Sequence, residues 1–304
     1  MLTINTQVQE IMDLGSITSL EALSHGLIDS ISHKIETASQ FSSHSQPALL
    51  PFATQSSLET PHAKPHHEDK SVSLLRYKAA REHEKQRQPV PPSKLTVGIV
   101  YLCGQIMQGD AKFGSNAIAK ALIEAGKDKD VSSIILRIDS GGGDAIASET
   151  IHSAVMHVRE LYNKPIVASF GNVSASGGYY AAVACDKIIA SPGTITGSIG
   201  VAALRPHVTP ELMDKLGVGV DEIYTAEGGK GSNFFRKLDG NFMDRFKSSI
   251  DMTYDIFLKR VADGRNMTVD QVRQVAGGRV WTGKRAFENG LIDELGPLFL
   301  FASA

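Results

Sequence analysis

Two glycine-rich segments of this 304-residue chain carry residue types that could do nucleophilic chemistry. The first is RIDSGGGDA, Arg137 to Ala145, where an apolar run passes into three glycines and then a helix start. Glycines there permit positive φ and let backbone N–H groups face open space beside the positive end of a helix dipole. Such a turn suits a phosphate or the oxyanion of a tetrahedral intermediate. The spacing G-x-G-x-x-G is absent and no Gly-Lys-Ser/Thr follows, which weakens nucleotide binding as a reading. A plain tight turn is the bland alternative.

The second segment is FGNVSASGGYYAAVACDKIIASPGTITGSIG, Phe170 to Gly200. Ser176 stands immediately before Gly177 and Gly178, where a strand gives way to the helical run YYAAVA. A serine at such a turn exposes its hydroxyl, and the N–H of Gly177 is free to serve an oxyanion. A serine that merely caps the helix would show the same local sequence.

These turns need a frame. LTVGIVYL, SSIILRI, PIVASF and DKIIA are short apolar runs of strand length. Between them lie NAIAKALIEAG and AIASETIHSAVMHVRELYN, the latter with Ile151, Val155 and Val158 on one helical face. Strand–helix–strand alternation predicts an α/β fold with a largely parallel sheet. A long helix is expected over Asn241 to Ala262, ended by Gly264. Its stripe of Phe246, Tyr254 and Phe257 reads as packing rather than a cofactor site.

Composition bounds the rest. Hydrophobic residues at 42% and charged residues at 21% are globular values, and a net charge of -2 gives no basic signature for nucleic acid. Cys103 and Cys185 are too few for a disulfide framework or a Cys-built zinc site. No apolar run approaches about 20 residues, and the first residues lack the basic-then-apolar pattern of a secretory signal. Only Gly15 and Gly26 of the 28 glycines precede Gly98, whereas seven of the ten histidines and seven of the twelve prolines do. Residues 33–94 therefore read as a polar linker, with a short helix plausible over Leu74 to Gln86. His62, His66 and His67 are read as linker residues before metal ligands. EALSHGLIDSI, Glu21 to Ile31, repeats as RAFENGLIDEL, Arg285 to Leu295. Residues 1–32 are thus expected to be the end of a preceding domain of the same kind, and 95–304 the principal domain.

IDSGGGDAIAS, SASGGYYAA, IIASPGTITGSIGV and GRVWTGKRAFENGLIDELG, in this order, resemble the signal peptide peptidase (protease IV) family, from about Thr96 to Gly296. The resemblance implies a Clp-protease/crotonase-like fold of repeated β-β-α units with a mostly parallel sheet. It implies a serine endopeptidase acting on signal peptides or other membrane-derived or unfolded polypeptides, with no cofactor. The GLID remnant and linker match the long, tandem-repeat form. The family's usual Ser-Pro-Gly-Gly is Ser140-Gly141-Gly142-Gly143 here.

Carried over by residue, the resemblance makes Ser176 the nucleophile, Gly142 and Gly177 the oxyanion hole, and Ser198 the serine that contacts the base. The base of a Ser–Lys dyad must be neutral to take the serine proton. Lys230, in EIYTAEGGKGSNFF, matches the lysine of single-repeat members, and Lys237 lies further on. Long members carry that lysine in the first repeat. The resemblance also implies a homo-oligomer, a peptide substrate and association with a bacterial or plastid membrane. Two other readings remain open from the residues: a catalytically inactive truncated subunit, and a crotonase-like acyl-CoA enzyme.

Overall fold

The computed structural model describes residues 17–32, 96–111, 114–227 and 240–297, together with residues 11, 230, 233–235 and 237. The proposed linker, residues 33–94, lies outside the described residues, and with it the expected helix over Leu74 to Gln86 and the three linker histidines.

The elements in chain order are α1 (Ser19–Ser24), β1 (Thr96–Cys103), α2 (Ser115–Lys127), β2 (Val131–Ser140), α3 (Ala145–Tyr162), β3 (Ile166–Ala175), α4 (Gly177–Ala182) and β4 (Lys187–Ala190). They continue as β5 (Ile195–Gly197), α5 (Pro210–Leu216), α6 (Gly240–Arg265), α7 (Val269–Val275), β6 (Val280–Thr282), α8 (Gly283–Glu288) and β7 (Glu294–Leu295). Strands β1, β2, β3, β4 and β7 run side by side, all parallel. β5 extends the far end of β3 in parallel and pairs antiparallel with β6. The α/β class with a mostly parallel sheet is the one the alternation predicted.

The core follows from the side-chain periods. Ile134, Leu136 and Ile138 point alternately inward from β2, and all three are fully buried. Ile151, Val155 and Val158 recur at helical spacing on α3 and are equally buried against them. Asp144 caps α3 by accepting from the Ala147 N–H at 2.7 Å.

One boundary differs from expectation. Helix α6 continues through Gly264 to Arg265, and Asn266 turns the chain at φ +51. Gly264 is a packing site: a Cβ there would come within 2.2 Å of the Val183 carbonyl oxygen. The aromatic stripe packs in part as expected. Phe257 is 3% exposed and meets Tyr180 in a tilted ring pair with centroids 4.9 Å apart, and the Tyr254 hydroxyl accepts from the Gly277 N–H at 3.1 Å.

A charged pair anchors the chain just before the C-terminal strand. Asp293 accepts from the Ile188 N–H at 2.7 Å and from both Arg265 nitrogens at 2.7 and 2.9 Å. Partial burial alone would raise the Asp293 carboxyl, but the Arg265 and Ile188 hydrogen bonds hold it below its ordinary value. The folded state thus binds this proton less tightly than the unfolded chain. Its contribution is complete above about pH 5 and is lost as pH falls through the lowered value. Asp293→Asn is expected to cost about 2 kcal/mol near neutrality. Denaturant melts should show that gap closing as pH falls below about 5.

Candidate active site

The site forms where β2 and β3 leave the sheet. Ile138 pairs with Phe170, but Ser140 pairs with Ser174, so β3 takes two extra residues there. The Asp139 carboxylate accepts the Val173 N–H at 3.1 Å within that bulge. This register brings the glycine run after β2 against the turn after β3. A Cβ on Gly142 would stand 2.7 Å from Gly177 N and 2.8 Å from Ser176 Cβ.

Ser176 is the turn itself, at φ +51 and ψ −120. Four described residues other than glycine have positive φ: Asn163, Asn266, Ser176 and Ser198. Asparagine tolerates that region, whereas serine there is strained by order 1–3 kcal/mol. The two strained serines are the two that the sequence singled out. Ser176 opens α4, yet its side chain makes no capping hydrogen bond. The capping alternative therefore fails, because the hydroxyl is not used by the helix. The backbone is tied instead: the Ser176 N–H donates to Gly197 O at 2.9 Å, and its carbonyl accepts from Tyr180 N at 2.8 Å.

Ser198 follows Gly197 directly, beside that tie, and its N–H donates to Arg279 O at 2.7 Å. Ser174, the neighbouring serine, is fully buried with its hydroxyl unpartnered, so it is not open to a substrate.

Two residues the sequence reading passed over shape the donors. Ser140 Oγ donates to Gly104 O at 2.6 Å and accepts the Gly142 N–H at 3.1 Å. That bond occupies the Gly142 donor. Among the described residues the N–H groups of Gly143 and Gly177 have no acceptor, and a Cβ on Gly177 would lie 3.3 Å from Gly143 N. Buried Ser148, its Oγ on Asp144 O at 2.8 Å, packs so closely that the same Cβ would meet it at 2.3 Å. Both serines lie within quoted motifs, but only packing reveals their tasks.

Behind α4, Tyr180 donates its hydroxyl to Glu149 of α3, and Arg260 of α6 meets the same carboxylate at 2.5 Å. Burial first, then the Glu149 charge, pushes the Tyr180 phenol up, so it stays a donor. This clamp joins three helices at the first turn after Ser176.

Lys230 lies elsewhere. Its Nζ donates to both oxygens of Glu227, one at 2.6 Å, and among the described residues no hydrogen bond joins it to Ser176 or Ser198. Lys237 is exposed.

Gly142 sits at φ +100. Gly142→Ala is therefore expected to lose about 2 kcal/mol from backbone strain alone. Its melting should fall by roughly 5 °C, with reactivity at Ser176 lost in parallel.

The profile of peptidase family S49 matches residues 160–298. A putative protease of Synechocystis is 39% identical over 197 residues, covering 65% of this chain and 68% of that protein. The chain belongs to peptidase family S49. Protease 4 of Haemophilus influenzae is 38% identical over 208 residues, and the chloroplastic serine protease SPPA of Arabidopsis thaliana 39% over 193. The matches cover 67% and 61% of this chain but only 33% and 28% of those relatives, so the S49 chain spans about a third of the length of these two. A solved structure of a ClpP1 point mutant from Listeria monocytogenes shares 13% identity at a TM-score of 0.45, over 67% of this chain and 94% of that one. S49 is a family of serine-type peptidases, and its profile falls on residues 160–298 of this chain. No helix among the described residues is long and apolar enough to cross a membrane.

Proposed function

We propose that this chain is a serine endopeptidase that cleaves signal peptides or other membrane-derived or unfolded polypeptides at Ser176. The observation that carries the reading is the strained Ser176 turn, whose hydroxyl is withheld from its own helix. Ser176 Oγ attacks the scissile carbonyl while a base takes its proton. The oxyanion is met by the Gly177 and Gly143 N–H groups, with Gly142 forming the tight approach between them. Collapse expels the amine, which takes that proton from the base; water then gives its proton to the base, attacks the acyl carbonyl and releases the acid, and the base returns the proton to Ser176 Oγ.

Lys230 is the proposed base of a Ser–Lys dyad and Ser198 the serine that orients it. For that role Lys230 must leave Glu227 and reach Ser176. The Lys230–Glu227 pair favours a second reading, in which this chain is inactive alone and receives its base from a partner. Membership of the S49 family leaves the acyl-CoA reading without support.

Leu204 is 92% exposed and Ile223 96%, with Leu216 and Phe234 also open. Apolar surface of this extent supports a homo-oligomer, and membrane association belongs to the same proposal. Incubation with a fluorophosphonate followed by peptide mapping tests the chemistry. Phosphonylation confined to the peptide bearing Ser176 is expected, and its absence in both chain and partnered chain would overturn the assignment.

A further inference from the structure

Three glycines in succession, Gly141, Gly142 and Gly143, carry the chain from β2 towards α3, so no side chain fixes the turn that faces Ser176. Peptide planes between glycines rotate freely unless something holds them. Hydrogen bonds hold them here. The Ile106 N–H donates to Gly142 O at 3.0 Å and the Asp144 N–H to Ile106 O at 2.9 Å, which seats Gly143 beside Ile106 in a parallel bridge. A trans peptide sends its N–H opposite to its carbonyl, so the Gly143 N–H points away from Ile106. It faces the Gly177 turn, where a Cβ on Gly177 would lie 3.3 Å from Gly143 N.

The preceding plane, between Gly141 and Gly142, has a single tether among the described residues. The Gly142 N–H donates to Ser140 Oγ at 3.1 Å, and Ser140 is 2% exposed. The same hydroxyl gives its own proton to Gly104 O at 2.6 Å, just past the end of β1. With that proton committed, it meets Gly142 only as an acceptor. A Cβ on Gly142 would stand 2.7 Å from Gly177 N and 2.8 Å from Ser176 Cβ, so a rotation of this plane is felt at the Ser176 turn.

We propose, resting on the reading of Ser176 as the nucleophile, that Ser140 is a positioning residue for it. Its Oγ holds the Gly142 N–H out of the oxyanion hole and leaves Gly143 and Gly177 as the donors. The resemblance pointed to Gly142 as a donor, whereas the tether turns that N–H to Ser140. A hydroxyl has this task because position 141 supplies no restraint. Gly141 has no positive φ, a Cβ on it would touch nothing within 4 Å, and its N–H has no acceptor among the described residues. Ser140 before it is the last residue of β2. A proline at 141 would thus remove no hydrogen bond, suit the extended residue before it, and narrow the turn through its ring.

Two readouts test this, and one needs no turnover. Amide exchange in the chain isotope-labelled at glycine, with the Gly142 resonance assigned by its loss in Gly142→Ala, reads the tether. Ser140→Ala is expected to speed Gly142 exchange at least about tenfold while the β2 core amides stay protected. The same variant, alone or with the partner that supplies the base, should react with a fluorophosphonate about tenfold to a hundredfold more slowly, with kcat lowered and KM unchanged. Adding Gly141→Pro should restore most of that rate without restoring a hydroxyl. Unchanged Gly142 exchange, or faster exchange at an unchanged rate, overturns the proposal. A faster reaction overturns it too, because the freed Gly142 N–H would then be the better donor. A slow Ser140→Ala that Gly141→Pro does not restore, with melting unaltered by the proline, reduces Ser140 to a packing residue and overturns it as well. If Ser140→Ala does not fold, Ser140→Cys replaces it, since its sulfur accepts only weakly and should move both readouts the same way. If Ser176 is phosphonylated in no form, the peptidase reading fails by itself, and Gly142 exchange still decides whether Ser140 holds the turn.

Discussion

Ser176→Ala is expected to abolish fluorophosphonate labelling and to lower any peptidase turnover by roughly 10⁶-fold, the scale seen when a serine nucleophile is removed. Melting should move by less than about 0.5 kcal/mol equivalent, since the lost hydroxyl has no partner among the described residues. The separation of the two readouts matters, because a turn residue whose loss unfolded the site would also abolish labelling. Ser174→Ala is the matched control: buried two residues away, it should leave labelling intact. Labelling that survives Ser176→Ala would move the nucleophile elsewhere and remove the reading.

That the Ser176 turn is legible in the sequence, and the residues packed around it are not, has a physical reason. The strands over Val131–Ser140 and Ile166–Ala175 and helix Ala145–Tyr162 follow from periods of 2.0 and 3.6 in the side chains. Those signals are local, and so is a serine before two glycines. The bulge opposite Asp139 is not local, because register depends on which residues meet across strands. Without it, nothing indicates that Gly142 reaches Ser176, or that Ser140 takes the Gly142 N–H while Gly143 is left open.

Gly264 failed as a stop signal for the same reason. A glycine near a helix end reads as a terminator, but here it serves the Val183 carbonyl packed against it. The clamp of Glu149, Tyr180 and Arg260 spans 111 residues of chain and carries no motif.

The base is decided by charge and reach at Lys230. As the chain stands, Glu227 holds the Lys230 ammonium through both carboxylate oxygens. A lysine that accepts the Ser176 proton must arrive without its own proton and without that partner. If Lys230 serves within this chain, Lys230→Met and Lys230→Arg both silence it, since guanidinium stays protonated and cannot act as a base. Glu227→Gln should then raise labelling and turnover, because it loosens the contact that holds Lys230 away from Ser176. If the base comes from a partner instead, the chain alone is silent, and Lys230→Met and Glu227→Gln change nothing. Turnover then appears only when that partner is added, equally in wild type and Lys230→Met. Equal activity of wild type and Lys230→Met without a partner would sink the cis dyad. Labelling and turnover of the four proteins, each measured with and without the partner, separate these cases.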